Sequence, residues 1–310
     1  MRPLKVVIAG IGAVGGYFGG LLARHYQSST EAAICFIARG ANLQQIKKHG
    51  LQVISHEETF IARPKIVTNN ATDIGMADFV VVCTKSYDLE SMIGHIQPCI
   101  SKNTVIVPLL NGVDSATRIN KLLPGTTIWP GFAYIVVRLK APGFVENIGN
   151  IQKLYFGLDD TDTEAIQRFE ALLQSAGIEA QRSDDISMLM WEKFIFISPL
   201  ASLTSYLDKN RGEIMENTDD MQVLISLIDE VIAVAQDLKV TLPDEIRERT
   251  LRKLQSLTRD TTSSMHHDFK NERRTELETL TGYVVQEGRK LRVPTPGYEK
   301  IYYALTTKAH

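Results

Sequence analysis

A glycine-rich segment near the start of the chain has the residue types and spacing of a phosphate-binding loop. Residues 10–15, called the glycine loop below, read GIGAVG and place Gly10, Gly12 and Gly15 around Ala13 and Val14. The first glycine permits a tight turn, the second lets a pyrophosphate approach the backbone, and the third lets a helix pack on the preceding strand. The start of that helix favours anions through its free N–H groups. The segment therefore predicts a dinucleotide site.

The end of the second apolar run bears on the choice between NAD and NADP. It reads Ile37–Ala38–Arg39–Gly40 and lacks the Asp or Glu that binds the ribose 2′-hydroxyl of NAD. Arg39 offers a planar guanidinium that suits a 2′-phosphate. The sequence therefore predicts NADPH as the cofactor. The alternative is that Arg39 is a solvated charge at the end of a strand.

Two polar residues follow apolar runs that have the length of strands. Lys85 comes directly after FVVVCT, and Asn111 comes directly after VIVPLL. Open α/β sheets bind ligands outside the carboxyl ends of their strands, so both positions are candidates for a binding site. The alternatives are a surface lysine for Lys85 and an ordinary Asn-Gly turn for Asn111.

Lys193 stands in an unusually apolar setting. The surrounding segment, Met188–Ile197, reads MLMWEKFIFI and is apolar on nearly all sides of a helix. Burial of an ammonium is costly and lowers its pKa. Lys193 therefore either extends to water or is held for use as a general acid that protonates and stabilises a developing alkoxide.

Two kinds of pattern along the chain indicate the elements that position these residues. In the first half, apolar runs such as Lys5–Gly10 and Ala32–Ala38 alternate with helical segments such as Val14–Tyr26, which predicts a doubly wound parallel sheet. Gly50–Val67 has alternating stretches that favour a small antiparallel excursion. Thr163–Ala176 is predicted to be a further helix.

After Ser183 helical periods dominate. Apolar residues at three- and four-residue steps predict a helix over Asn217–Leu238, and further helices are expected from Pro243 to about Leu257 and over Asp268–Lys290. We therefore predict a Rossmann-type domain over residues 1–183 and an all-helical domain over residues 184–310.

Composition argues against several classes of function. The 310 residues carry 34 Lys and Arg against 36 Asp and Glu, a net charge of −2, so a nucleic-acid binder with an overall basic field is not expected. The sequence contains no run of 18 apolar residues, so a membrane-spanning helix is not expected. Cys35, Cys83 and Cys99 form no CxxC pair, which favours a reducing, cytoplasmic location. No third ligand accompanies His266 and His267, so no metal site is expected.

Several segments together resemble the ketopantoate reductase family, the 2-dehydropantoate 2-reductases. In chain order they are GIGAVGGYFGGLLAR, AR at the second strand end, VVVCTKSYD, VPLLNGVD, WEKFIF, SSMHHD and RRTELETLTGYVV. The resemblance covers nearly the whole chain. It implies a Rossmann domain, a helical domain and NADPH-dependent reduction of a 2-oxo acid at an interdomain cleft. The first candidate reaction is 2-dehydropantoate to pantoate, in pantothenate biosynthesis. A homodimer is an open alternative to a monomer.

The resemblance also implies roles for individual residues. Lys193 matches the family's catalytic lysine, and Glu276 matches a carboxylate that pairs with that lysine or with a substrate hydroxyl. Lys85 and Asn111 match residues close to both cofactor and substrate. Ser264 matches a serine that binds the substrate carboxylate, although its position also suits a helix cap. Asp268 matches as well, with capping or helix-dipole compensation as an equal alternative.

The chain departs from the family at two positions after the lysine. Ketopantoate reductases commonly carry asparagines four and eight residues further on, where this chain has Ile197 and Ala201. Apolar residues there should weaken recognition of a hydroxyl-bearing substrate. Two alternatives therefore stand beside 2-dehydropantoate: a more apolar 2-oxo acid as substrate, and a non-catalytic NADP(H) sensor. The presence of Lys85, Asn111, Lys193 and Glu276 together argues against the sensor.

Overall fold

The computed structural model describes residues 2–55 and 58–308. Contacts among these residues define two compact units. Unit 1 contains the chain up to Leu110 together with Asp114–Ile186, and unit 2 contains Asn111–Val113 together with the chain from Ser187 onward. The domain boundary at residue 183 stays a prediction; by packing, the change of unit follows Ile186.

Unit 1 contains the strands of the two sheets that the described residues form. In chain order the strands are β1 (Leu4–Ala9), β2 (Ala32–Ile37), β3 (Leu51–Ile54), β4 (Thr59–Ala62), β5 (Ile66–Thr68), β6 (Phe79–Val82), β7 (Val105–Pro108), β8 (Thr127–Ile128), β9 (Gly131–Ala141), β10 (Phe144–Gly157) and β11 (Glu179–Ser183). The larger sheet has the order β5-β2-β1-β6-β7-β8, and its neighbouring strands are all parallel.

The helices of unit 1 alternate with these strands. They are α1 (Ala13–His25), α2 (Gly40–His49), α3 (Leu89–Ile96), α4 (Ser115–Leu122) and α5 (Glu164–Ser175). Val6, Val7 and Ile8 are all buried although they are consecutive, because apolar side chains from both faces of β1 pack into separate clusters. The predicted doubly wound parallel sheet is confirmed.

The second sheet contains an antiparallel hairpin that the sequence patterns did not reveal. Its order is β11-β10-β3-β4, with β9 pairing antiparallel to β10. Gly143 makes the tight turn between β9 and β10 with φ of +77°, a value that favours glycine. The antiparallel pair β3–β4 agrees with the excursion expected over Gly50–Val67.

Unit 2 is helical, as predicted. Its helices are α6 (Ile186–Leu207, apart from its first residue), α7 (Arg211–Glu216), α8 (Thr218–Asp237), α9 (Ile246–Ser256), α10 (Ser264–Lys270), α11 (Tyr283–Leu291) and α12 (Pro296–Lys308). A five-residue π-helical turn, Glu278–Gly282, precedes α11. The predicted stripe on α8 faces the core through buried residues that include Leu224, Ile228 and Val231.

One predicted helix is wrong. The segment Asp268–Lys290 is not continuous, because α10 ends at Lys270 and the chain is irregular from there to the π-helical turn. The side chain of Asn271 donates to the carbonyl of His267 at 2.6 Å, and Glu272 takes a left-handed φ of +50°. An asparagine that bonds the backbone in this way competes with helix formation.

Helix α6 is the one described helix that is long and apolar enough to cross a membrane. Its most apolar 18-residue window has a mean hydropathy of 1.3, but 67% of that window is buried inside the protein. Ser198, in the middle of α6, donates to the carbonyl oxygen of Leu280 at 2.6 Å, and Ser202 shares a hydrogen bond of 2.8 Å with Thr281. These contacts are those of a core helix that anchors the π-helical turn.

Candidate active site

The glycine loop is shaped to admit an anion at its centre. Gly10 follows β1 with φ of +100°, which disfavours other residues. A Cβ at Gly15 would collide with the carbonyl oxygen of Gly10, whereas a Cβ at Gly12 would meet nothing within 4 Å. Helix α1 begins with Ala13 and Val14, has no side-chain cap and no acidic residue in its first turn. Its free N–H groups therefore suit a phosphate.

Asn42 of α2 holds the glycine loop in place, and sequence reasoning missed it. Its Nδ2 donates to the carbonyl oxygen of Ile11, and its Oδ1 accepts from the N–H of Gly143 at 2.7 Å. One amide therefore ties the loop to the β9–β10 turn. No local signal could have revealed this, since the three residues lie far apart in sequence.

Arg39 and Lys85 also lie in unit 1. Arg39 is exposed, two residues beyond β2, and caps α2 with its backbone alone. Lys85 is half-buried beyond the carboxyl end of β6 and begins a short 3₁₀ turn. Next to it, Thr84 has a buried Oγ1 without a hydrogen-bond partner among the described residues. The carboxyl ends of β1, β2 and β6 thus present a glycine loop, a guanidinium and an ammonium.

Three of the predicted site residues meet within unit 2. The Nζ of Lys193 donates to Oδ1 of Asn111 at 3.2 Å, and Nδ2 of Asn111 approaches Oε2 of Glu276 at 3.5 Å, the limit of a hydrogen bond. Lys193 is 8% exposed and Glu276 is 4% exposed. Asn111, Lys193 and Glu276 are called the Lys193 cluster below. Its members come from a loop, from α6 and from the irregular segment before the π-helical turn.

The position of Glu276 differs from the solvated helix face that its local sequence suggests. Because the predicted helix breaks after α10, Glu276 precedes the π-helical turn, and its carbonyl oxygen accepts from the N–H groups of Thr279 and Leu280 at 3.1 and 3.0 Å. The backbone therefore fixes Glu276 at the start of this turn. π-helical turns are frequent at functional sites.

Burial tunes the ammonium of Lys193. Desolvation, together with the charge of Lys253, lowers its pKa from 10.5 to about 8, although the carboxylate of Glu276 acts in the opposite direction. An amine with this pKa is mostly protonated at neutral pH and gives up its proton more readily than an ordinary lysine. The group has the properties of a general acid.

Lys253 is a second lysine of this kind that the sequence patterns did not reveal. It lies on α9 and is half-buried, and its Nζ is 4.7 Å from the centroid of the Phe196 ring on α6. Desolvation lowers its pKa to about 8, and Glu192 opposes that shift. A highly charged helix such as α9 gives no local sign of which of its basic residues faces inward.

Ser264 does not cap α10. The cap is Ser263, whose Oγ accepts from the N–H of His266 at 3.0 Å, while Ser264 is the exposed first residue of the helix. No hydrogen bond among the described residues joins Ser264 to the Lys193 cluster. Asp268 is half-buried later in the same helix, and its carbonyl oxygen accepts from Arg273 at 2.8 Å.

The adjacent histidines have separate partners. Nε2 of His266 bonds to Asp208 at 2.7 Å, and Nε2 of His267 bonds to the hydroxyl of Thr262 at 3.1 Å. Residues 2–55 and 58–308 contain no group of three or more His, Cys, Asp or Glu that could hold a metal ion.

The two positions that depart from the family pattern differ in burial. Ile197 is half-buried one helical turn after Lys193. Ala201 is 1% exposed and belongs to the core of unit 2. Ile197 is therefore the better placed of the two to influence a ligand at the Lys193 cluster.

Two family models match this chain. The model described as Ketopantoate reductase PanE/ApbA matches residues 6–160, and the model described as Ketopantoate reductase PanE/ApbA C terminal matches residues 185–309. The chain belongs to the ketopantoate reductase family.

Relatives of known sequence align over almost the full length of this ketopantoate reductase family member. The uncharacterized oxidoreductase YkpB of Bacillus subtilis is 26% identical over 300 residues, covering 96% of this chain and 97% of the relative. A 2-dehydropantoate 2-reductase of Mesorhizobium japonicum is also 26% identical, over 324 residues, covering 96% and 95%.

Solved structures extend the comparison. A 2-dehydropantoate 2-reductase from Porphyromonas gingivalis W83 is 36% identical, covers 98% of this chain and 100% of its own, and has a TM-score of 0.87. A D-mandelate dehydrogenase, in a ternary structure with NADH and anilino(oxo)acetate, is 28% identical, covers 99% and 98%, and has a TM-score of 0.86. The solved structures that resemble this chain therefore carry different enzyme names, and one of them contains NADH.

These findings confirm the predicted family, fold class and enzyme class. The protein is an oxidoreductase of a pyridine-nucleotide-dependent family. The preference for NADPH, the individual substrate and the roles of the site residues remain predictions. The cytoplasmic location and the homodimer remain predictions as well.

Proposed function

We propose that this chain reduces the C2 carbonyl of a small 2-oxo acid to a 2-hydroxy acid with NADPH. The observation that carries the proposal is the Lys193 cluster, in which a desolvated ammonium donates to Asn111 at 3.2 Å beside the buried carboxylate of Glu276. A polarised carbonyl needs both a proton and stabilisation of negative charge as it is reduced, and a buried ammonium provides both.

The residues of unit 1 fit a dinucleotide cofactor. The open space at Gly12 and the uncapped start of α1 suit a pyrophosphate. The exposed guanidinium of Arg39 suits a 2′-phosphate, and Lys85 adds a positive charge at the same edge of the sheet. When bound, the nicotinamide supplies a hydride; the residues of the chain bind and orient it. Arg39 supports NADPH over NADH.

Lys193 would act as the proton donor. As the carbonyl oxygen gains negative charge, the proton on Nζ passes to it, and the neutral amine regains a proton from solvent. Asn111 fixes the direction of Nζ through its Oδ1, and Glu276 favours the charged form of the lysine. Ser264 stays a candidate for the substrate carboxylate through the family resemblance.

The first candidate substrate is 2-dehydropantoate, the compound after which similar reductases are named. The second candidate is a 2-oxo acid with a more apolar tail. Ile197 supports the second candidate, because an apolar side chain one turn from Lys193 offers no hydrogen bond to a substrate hydroxyl. The likeness to a D-mandelate dehydrogenase points in the same direction.

A screen of NADPH oxidation tests this proposal. The substrates are 2-dehydropantoate, its analogue without the hydroxyl, and phenylglyoxylate. We expect turnover of at least one, and the ratio between the first two reports on the role of Ile197. A protein that binds NADPH but reduces none of a broad set of 2-oxo acids would contradict the proposal and favour the non-catalytic sensor.

A further inference from the structure

Lys253 places a second ammonium close to the proton donor. Its Nζ lies 4.7 Å from the centroid of the Phe196 ring. Phe196 follows Lys193 by three residues on α6, so the two side chains project from neighbouring positions on one side of that helix. Helix α9 therefore delivers Lys253 to the part of α6 that carries Lys193.

The charge of Lys253 acts on Lys193. The charge of Lys253 contributes to the lowered pKa of Lys193, so the two ammonium groups lie within electrostatic reach. The carboxylate of Glu276 raises the pKa of Lys193, and the carboxylate of Glu192 raises the pKa of Lys253, so both oppose the lowering. Two desolvated like charges disfavour each other. An anion placed between them would reverse that penalty.

A 2-oxo acid carries an anion directly beside its reacting carbonyl. Its carboxylate is bonded directly to the carbonyl carbon, so a cation that binds the carboxylate must stand beside the group that protonates the carbonyl oxygen. We infer that Lys253 binds the carboxylate of the substrate while Lys193 serves the carbonyl oxygen; this rests on the proposed function. Lys253 is thus the residue that selects 2-oxo carboxylates over neutral 2-oxo amides and esters.

Phe196 supports the same assignment. Its ring is buried and holds the ammonium of Lys253 through a cation–π contact, which fixes the group without neutralising its charge. Ser264 is exposed and carries a neutral hydroxyl, so it can add a hydrogen bond but no charge. A charge-assisted contact is the stronger of the two.

The experiment compares a 2-oxo acid with its primary amide, which retains the reacting carbonyl but has no negative charge. Lys253→Met keeps an unbranched side chain against Phe196 and removes the ammonium. We expect kcat/KM for the acid to fall roughly ten- to hundredfold, mainly through KM, and kcat/KM for the amide to change little. Arg252→Met is the matched control, because Arg252 is the exposed neighbour on α9 and its loss changes the net charge equally.

A second measurement needs no variant. Deprotonation of Lys193 affects the acid and the amide alike, whereas deprotonation of Lys253 weakens binding of the acid alone. In the wild type, the acid-to-amide ratio of kcat/KM should therefore fall as pH rises through about 8, the pKa of Lys253. In Lys253→Met this fall should vanish. The alkaline limb for the amide should move to higher pH, because removal of a neighbouring positive charge raises the pKa of Lys193.

The outcomes separate this inference from the proposed function. Failure of the wild type to reduce any 2-oxo acid counts against the proposed function. Another outcome is that the wild type reduces 2-oxo acids with an acid-to-amide ratio of kcat/KM that changes neither with pH nor in Lys253→Met. That result would overturn the role of Lys253 and leave the proposed function intact. A rise in KM for NADPH with no change for the acid would make Lys253 a cofactor contact and also overturn it. If Lys253→Met does not fold, the pH dependence of the acid-to-amide ratio of kcat/KM in the wild type tests the role of Lys253 by itself.

Discussion

The glycine loop of unit 1 is formed by backbone groups, whereas the Lys193 cluster of unit 2 is formed by side chains. The loop is made of backbone: three glycines within six residues leave N–H groups open at the start of α1. The cluster is made of side chains that come from residues 111, 193 and 276 and meet only in the folded chain. A backbone site tolerates few residue types at each position, whereas a side-chain site depends on the elements that bring its members together.

The largest effect on this contrast between the glycine loop and the Lys193 cluster is expected from Lys193→Ala. If the Lys193 cluster supplies the chemistry and the glycine loop supplies the cofactor affinity, kcat/KM should fall by roughly 10²- to 10⁴-fold, as expected for loss of an acid and oxyanion donor. The dissociation constant of NADPH should stay near the wild-type value. Steady-state kinetics and fluorescence titration of NADPH measure the two quantities.

Lys193→Arg and the melting temperature are the controls for that variant. An arginine keeps the charge but holds its proton far more tightly, so it should restore little activity. A folded Lys193→Ala protein with turnover close to wild type would remove Lys193 from the mechanism.

Arg39→Ala tests the cofactor side of the comparison. We expect the wild type to prefer NADPH over NADH, and the variant to lose about 1.5–3 kcal/mol of that preference, or roughly ten- to hundredfold in affinity. Arg168→Ala removes another exposed arginine, on α5, and should leave the preference unchanged. Equal binding of both cofactors by the wild type would show that Arg39 is only a solvated charge.

Two glycine substitutions distinguish packing from ligand approach within the loop. Gly15→Ala brings a methyl group against the Gly10 carbonyl and to 2.8 Å from Cβ of Cys83, so it should destabilise the protein by about 1–3 kcal/mol. Gly12→Ala places its methyl in open space and should weaken NADPH binding while the free energy of unfolding stays the same. Urea unfolding with and without NADPH measures both. The opposite pattern would mean that Gly12, not Gly15, is the packing position.

The smallest expected effect comes from Ile197→Asn. If Ile197 faces the substrate, the new amide should raise kcat/KM for 2-dehydropantoate relative to its analogue without the hydroxyl by about tenfold or less. Ala201→Asn is the contrasting variant: Ala201 is 1% exposed, so an asparagine there should mainly cost stability. An unchanged substrate ratio in a folded Ile197→Asn protein would place residue 197 outside the site.

The sequence predicted best where the physics is local. The glycine loop and the buried runs of β1 and β6 need only neighbouring residues to be recognised, and the fold class followed from their alternation with helices. Local sequence singled out Lys193 and Asn111 as candidates, but it did not show that they meet. Glu276 looks like a solvated helix residue, and it was reached through the family resemblance alone.

The features that the sequence did not predict depend on long-range contacts or on competing local interactions. Asn42 and Lys253 act through partners remote in sequence, Ile11 and Phe196 respectively, so no window of residues reveals them. The hairpin β9–β10 was missed although Gly143 marks its turn. The break after α10 arises because Asn271 bonds the backbone of His267 and outweighs the helical propensity of the charged residues that follow.

The three-residue excursion Asn111–Val113 has a consequence for modularity. The chain enters unit 2 at Asn111, returns to unit 1 at Asp114 and re-enters unit 2 at Ser187. A gene fragment that begins at residue 187 would encode Lys193 and Glu276 without Asn111, the acceptor that orients the ammonium. Recombination at the junction between the two matched family models, residues 160 and 185, would therefore exchange a helical module with an incomplete site. A recombined chain would therefore keep a complete site only if the segment that carries Asn111 and the helix that carries Lys193 come from the same parent.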